Sequence, residues 1–284
     1  MARKNAPRLI SELQHACPAN INWQVIETSP TPFGFGDLET MARSADLVIS
    51  VGGDGTVAEA LTAIGNAGTP LAILAGGSTN VIAKELGIPA EPRNLASLVF
   101  GSHQIRTIDA ATCNDRLFLH MAGAGFDSRI FDQANPELKR RIGWFAYLPS
   151  AAQSLRLPPA RFHVTTESAS FDLTSPMVLV ANGAGIIRPK LYVFPGISSS
   201  DGWLDLIAVT ATRGPEIAGV FARFASRSMN RSPHILHARA KSIRIESDPQ
   251  MPIQIDGDVI GTSPADIKIL PARARLIIPV ESRP

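Results

Sequence analysis

At 284 residues, with 45% apolar and 18% charged side chains, the chain is long enough for two domains or one large one, and too apolar to stay disordered. A formal net charge of +2 with no dense Lys/Arg stripe argues against a nucleic-acid partner, while an isoelectric point near 8.7 is compatible with an anionic membrane surface. Cys17 and Cys113 are too few for a disulfide framework and point to a reducing cytoplasm.

At the N-terminus, Met1-Ala2-Arg3-Lys4 is basic, but no apolar h-region follows, so no signal peptide is expected. From Asp46 to about Gly87 the pattern is strand, glycine turn, helix, twice over. The run 47–51 is short, apolar and β-branched, as in a buried parallel strand. The turn Gly52-Gly53-Asp54-Gly55-Thr56 follows, after which Val57, Ala60, Leu61 and Ile64 fall on one helical face. Residues 71–75 form the next strand and Gly76-Gly77-Ser78-Thr79-Asn80 the next turn. A helix over about 80–86 then ends at Gly87, with Pro89 beyond it. Such alternation predicts βαβ units, a parallel sheet and right-handed crossovers.

After about Asp109 the texture changes. Short β-like runs recur at 117–121, 161–166, 177–181, 204–210, 242–245, 253–255 and 274–278, several of them separated by turn signals such as Asn182-Gly183, Asp201-Gly202 and Asp256-Gly257. Helices are expected near 135–155 and 214–226. The longest apolar stretch, 177–187, is broken by Asn182, Gly183 and Gly185 and is too short to cross a bilayer. The predicted fold class is α/β. A Rossmann-like parallel-sheet domain spans 1–109 and an antiparallel β-sandwich spans 110–284, its C-terminal tail free to return to the first domain.

A glycine turn between a parallel strand and a helix suits a phosphate for two reasons. Glycines let backbone N–H groups approach the anion, and the helix N-terminus adds partial positive charge. Thr56 is placed as an N-cap. Asp54 is the odd member, because a carboxylate repels phosphates unless it faces a Mg2+. The competing reading is an ordinary βα turn. In the second turn Ser78 and Thr79 can donate to phosphate oxygens and Asn80 can hold a loop or a base; the competing reading is helix capping by Ser78 or Thr79. Both turns would lie at the C-terminal edge of the sheet, where open α/β sheets bind ligands. No Gly-Lys dipeptide exists, so there is no P-loop. Asp256-Gly257 reads as a type I′ hairpin. His234 and His237 read as structural or surface residues rather than metal ligands, and Lys139-Arg140-Arg141 with Trp144, Phe145 and Tyr147 reads as a solvated helix start or an interfacial contact.

Several segments match one family in order, from about 46 to 279. They are Val51-Gly52-Gly53-Asp54-Gly55-Thr56-Val57-Ala58-Glu59-Ala60, the stretch 77–89, Gly123-Ala124-Gly125-Phe126-Asp127, the stretch 139–147, Val180-Ala181-Asn182-Gly183, Asp201-Gly202-Trp203-Leu204-Asp205 and Ile255-Asp256-Gly257-Asp258. Together they resemble the diacylglycerol kinase catalytic-domain family, which includes bacterial lipid kinases and sphingosine kinases. Gly-Gly-Asp-Gly alone is shared with NAD kinases and phosphofructokinases.

The resemblance implies an ATP- and Mg2+-dependent kinase for a lipid hydroxyl, with its active site in a cleft between the two domains. Thr28 would contact the nucleotide, Gly52 to Ala58 (Gly52, Gly53, Asp54, Gly55, Thr56, Val57, Ala58) would match the phosphate loop, and Ser78 the hydroxyl residue of the second turn, beside Gly77, Thr79 and Asn80. Asp54 and Asp127 would tether the nucleotide's Mg2+. Asp201, with carbonyls near Ser198 and Trp203, would hold a second Mg2+, and Asp258 would be the general base. The lipid would be met at a membrane surface from the water side; a homodimer is compatible with these features. The chain departs from the family in having no Asn-Pro-x-x-Gly turn before Thr28, Val81 where an acidic residue is common, and Asp258 where Glu is usual. The alternatives are a kinase for a soluble acceptor such as NAD, and a nucleotide- or lipid-binding protein without catalysis.

Overall fold

The computed structural model describes residues 2–27, 35–77, 80–125, 159–183, 194, 196–211, 213–226 and 228–280. The chain divides into two compact units, one made of Met1–Ala110 with Pro271–Pro284, the other of Ala111–Leu270.

The first unit contains α1 (Ala2–Ala16), α2 (Phe35–Ser44), β1 (Val48–Gly52), α3 (Asp54–Ile64), β2 (Leu71–Ala75), α4 (Val81–Glu85) and α5 (Pro92–Phe100), and most of β3 (His103–Cys113). β1 and β2 run parallel, in register from Val48 opposite Leu71 to Gly52 opposite Ala75, with α3 as the crossover. Helix α1 packs against α5 and β1, and α2 packs against α3. Leu71, Ala72, Ile73 and Leu74 are all buried, as expected of a parallel strand covered on both faces. The buried face of α3 is Val57, Ala60, Leu61 and Ile64, as the helical period predicts, with Ala63 added.

The run 274–278, one of the β-like runs after Asp109 and part of the C-terminal tail left free to return to the first domain, belongs to the first unit. It is part of β14 (Ala265–Pro279), the last strand among the described residues, and its Leu276 lies parallel to Leu71 of β2. Three hydrogen bonds hold it there: Ala272 N–H to Asp109 Oδ1 at 2.8 Å, Arg273 Nη2 to the Leu61 carbonyl at 2.8 Å, and Arg275 Nη1 to the Gly68 carbonyl at 2.6 Å.

The second unit holds β4 (Arg116–Phe118), β5 (Met121–Ala124), β6 (Ala160–Thr166), β7 (Ser170–Ser175), β8 (Val178–Ala181), β9 (Leu204–Val209), α6 (Gly214–Ala225), β10 (Ile235–Ala240), β11 (Ser242–Asp248), β12 (Pro252–Ile255) and β13 (Asp258–Thr262). One antiparallel sheet has the order β10-β9-β8-β5-β12-β13. In the other, the first part of β14 pairs with β11, β11 with β6 and β6 with β7, all antiparallel. Val178, Val180, Leu204, Leu206 and Ile253 of the first sheet share a core with Phe162, Val164, Ile243, Ile245 and Ile267 of the second, which makes a sandwich. On the opposite face of the six-stranded sheet, Leu179, Ala181, Ile207 and Val209 pack with Val220 of α6. Covered on both sides, β8 and β9 are buried at every position, and β8 reads as an unbroken apolar run while β9 is broken only by Asp205.

The run 117–121 is not one strand but a corner, with β4 ending at Phe118 and β5 starting at Met121. The helix expected near 135–155 lies outside the described residues. Among the described residues, no helix is long and apolar enough to cross a membrane.

Candidate functional site

The two glycine turns of the first unit touch. The Gly52 carbonyl, at the end of β1, accepts the N–H groups of Gly76 at 2.8 Å and Gly77 at 3.2 Å. A Cβ on Gly77 would lie 2.6 Å from Gly53 Cα, and one on Gly52 would lie 2.4 Å from Thr56 Oγ1, so both positions need glycine for close approach. Helix α3 starts at Asp54 with Gly53 as its N-cap, so Thr56 sits inside the first turn and is not the cap. The reason is local: Gly53 already adopts the extended backbone an N-cap requires, and its carbonyl accepts the Val57 N–H at 3.2 Å. By helix geometry the N–H groups of Asp54, Gly55 and Thr56 have no carbonyl a turn earlier, and Gly53 brings no side chain to cap them. Among the described residues, the turn thus presents donors with no side-chain cap, at the positive end of an 11-residue helix. Val57 is buried in the core and Ala58 follows it on the same helix.

The Asp54 carboxylate is engaged by the second turn. Oδ2 accepts the Val81 N–H at 3.1 Å and Oδ1 the Ile82 N–H at 3.4 Å, at the start of α4. The residue from the first turn therefore caps the helix of the second. This gives a reason for a carboxylate among these glycines without invoking a metal. Asn80, in the left-handed region at φ 49°, holds the second turn: its Nδ2 donates to the Gly77 carbonyl at 2.8 Å and its Oδ1 accepts the Gly77 N–H at 3.0 Å. Of the two roles expected for Asn80, the loop-holding one is what the geometry displays. Thr28, Ser78, Thr79 and Asp127 lie outside the described residues.

In the second unit the corner between β4 and β5 is braced from two sides. The Asp256 carboxylate accepts the N–H groups of Leu119 at 2.8 Å, His120 at 2.9 Å and Met121 at 2.9 Å. Asn182 Nδ2 donates to the Leu119 carbonyl at 2.7 Å, and the N–H groups of Asn182 and Gly183 donate to the His120 carbonyl. Loss of solvent pushes the Asp256 pKa up, while His120 and the three N–H bonds pull the other way. Asp256 and Gly257 also form the predicted hairpin turn, with φ 47° and 100°. Asp258, the first residue of β13, stands exposed just past that turn, paired across it with Ile255. Sequence reasoning took Asp256 for a turn residue alone, since Asp-Gly is itself the turn signal. Nothing local announces that its carboxylate reaches back to residues 119–121.

Asp201 has both oxygens committed. Oδ1 accepts the Trp203 N–H at 3.1 Å, and Oδ2 meets Arg239 Nη2. The Ser198 hydroxyl accepts the Ser200 N–H at 3.3 Å. Nearby, His237 Nε2 and Asp205 Oδ1 are 2.7 Å apart, so His237 has the structural role read from the sequence, with a carboxylate partner that its own neighbours did not reveal. No group of three His, Cys, Asp or Glu side chains suited to a metal occurs among the described residues.

The family model for the diacylglycerol kinase catalytic domain matches residues 2–113, and that for the YegS C-terminal NAD kinase beta sandwich-like domain matches residues 120–278. The chain is 31% identical over 245 residues to an uncharacterized protein of Synechocystis sp.; the match covers 83% of this chain and 55% of that protein, so the chain spans about half the length of this relative. It is 27% identical over 241 residues to a Staphylococcus aureus protein provisionally named a lipid kinase, covering 83% of this chain and 78% of the relative. Among solved structures, a chain from Bacillus anthracis provisionally described as a diacylglycerol kinase shares the fold with a TM-score of 0.73. That match is at 23% identity over 97% of this chain and 90% of the other.

Proposed function

We propose that this chain, which belongs to the diacylglycerol kinase catalytic-domain family, transfers the terminal phosphoryl group of ATP to the hydroxyl group of a lipid. The observation that carries the reading is the meeting of two glycine turns before the uncapped N-terminus of α3, a cradle built for phosphate oxygens. The name of the staphylococcal relative supports a lipid acceptor.

The N–H groups of Asp54, Gly55 and Thr56 bind the nucleotide's phosphates, and Asn80 and Asp54 keep the second turn against the first. Asp258 accepts the proton of the attacking hydroxyl. Positioning and electrostatics supply most of the acceleration in such transfers. Mg2+ supplies charge neutralisation when it arrives with the nucleotide, keeping most of its waters. The described residues are a poor fit for a protein-held ion at this site, since both Asp54 oxygens already accept N–H bonds.

The match of the second unit to an NAD kinase-like sandwich favours one rival, transfer to NAD or another soluble acceptor. Purified protein with labelled ATP and Mg2+ separates the readings when offered mixed micelles of diacylglycerol, sphingosine or phosphatidylglycerol, or NAD. Label in the organic phase is the expected outcome. Label on NAD alone moves the assignment to the rival, and no label on any acceptor sinks phosphoryl transfer in favour of binding alone.

A further inference from the structure

Within the second unit, the turn 198–203 is where the family resemblance implies a second divalent ion, and the carboxylate that would hold it is already engaged. Asp201 Oδ1 accepts the Trp203 N–H at 3.1 Å, which closes the turn on itself. Its other oxygen forms an ion pair with Arg239, both side chains being partly exposed at 30% and 41%. The Ser198 hydroxyl is turned to the Ser200 N–H at 3.3 Å.

Arg239 is no stray surface residue. It sits on β10 directly opposite Asp205 of β9, and its Nε lies 3.8 Å from Asp205 Oδ1. Its guanidinium carbon is 5.5 Å from the Trp203 ring centroid, and Lys241 Nζ is 5.1 Å from the same centroid. The Trp203 ring thus helps hold two cationic side chains beside the Asp201 turn. A guanidinium is charged at every accessible pH and is more weakly hydrated than an ammonium, so it suits such a pairing. Mg2+ needs near-octahedral oxygens at about 2.0–2.1 Å, and here it would face two cationic side chains and a carboxylate whose two oxygens each already have a partner.

We propose that Arg239 is itself the cation of this site: its guanidinium ties the Asp201 turn to edge strand β10, and the turn takes no divalent ion. The inference is independent of phosphoryl transfer and is tested on nucleotide-free protein. Thermal unfolding of the wild type should have the same midpoint in millimolar Mg2+, in Mn2+ and in EDTA, and Mn2+-soaked crystals should show no anomalous peak at Asp201. Arg239→Gln and Asp201→Asn should each lower the midpoint by about 2–4 °C. The double variant should fall no further than the larger single effect, because both remove one interaction. A Mn2+ peak at Asp201 in the wild type overturns the proposal. So does a Mg2+-dependent rise in midpoint that Asp201→Asn abolishes, or full additivity of the two substitutions. Should a variant fail to fold, the wild-type Mn2+ map decides alone.

Discussion

Replacing Asp54 discriminates between two roles for the carboxylate. As the cap of α4, Asp54 satisfies the N–H groups of Val81 and Ile82, and Asn80, the residue at the formal N-cap, offers no side-chain cap bond of its own. Asp54→Asn keeps one acceptor oxygen but turns an amide NH2 toward the other N–H, and it removes the charge that complements the helix start. Asp54→Ala removes both acceptors. The carboxylate is half-buried, so water recovers part of each bond; about 1 kcal/mol for Asn and about 2 kcal/mol for Ala are reasonable local costs. Those costs correspond to roughly 5-fold and 30-fold more opening of the second glycine turn. Hydrogen exchange read by mass spectrometry on peptides covering 80–86 should accelerate by about these factors, Ala more than Asn, while peptides from the second unit stay unchanged. In the transfer assay the KM for ATP should rise, because the second turn no longer rests against the first. Unchanged exchange over 80–86 in Asp54→Ala refutes the capping role. If kcat collapses at the same time, the carboxylate acts on an ion or on the reacting atoms instead.

Asp258→Asn should lower kcat by about 10²–10⁴-fold with little change in the KM for ATP, and Asp258→Glu should keep or raise activity; near-normal turnover in the Asn variant removes Asp258 as the base. Gly183→Ala places a Cβ 2.4 Å from Nδ1 of the buried His120, so urea unfolding should show a loss of about 1–3 kcal/mol, and an unchanged midpoint would mean the corner relaxes freely. The Cys113 thiol is buried and its pKa is pushed up to about 11, chiefly by loss of solvent and secondly by Asp266. Iodoacetamide at pH 8 should therefore modify Cys17 and spare Cys113 in the folded protein, with both labelled in urea.

The βα units of the first domain were legible because buried parallel strands leave an unbroken apolar run, and glycine turns bound it on the C-terminal side. The start of α3 was misread by three residues because Thr56 looks like a capping residue, whereas Gly53 needs no side chain to occupy that position. The corner at Leu119 and His120 was hidden for the opposite reason: both residues are buried, so the apolar pattern runs straight through a break in the chain's direction. The run 274–278 was recognised as a strand, but periodicity cannot say which neighbour a strand takes or whether it runs parallel. At the candidate site the turns themselves were visible, but not what the acids do. Asp54 bonds residues 27 and 28 positions away, Asp256 reaches back more than 130, and Asp201 finds Arg239 on a different strand. Each pairing depends on how the strands are ordered.

Strand β14 gives the molecule an unusual genealogy of parts. Its final residues complete the first unit's sheet beside β2, so residues 111–270 stand topologically as an insertion within that unit rather than as a module appended to it. Neither unit can then be shuffled, fused or expressed as a simple head or tail. A fragment ending at 110 would bare the edge of β2 at Leu71, an apolar template for pairing with other chains. Closing that edge joins residues 71 and 276, a contact of very long sequence separation that belongs late in folding. Gene fusions that respect this topology would leave the region after residue 270 attached, or would permute the chain so that β14 is synthesised next to β2.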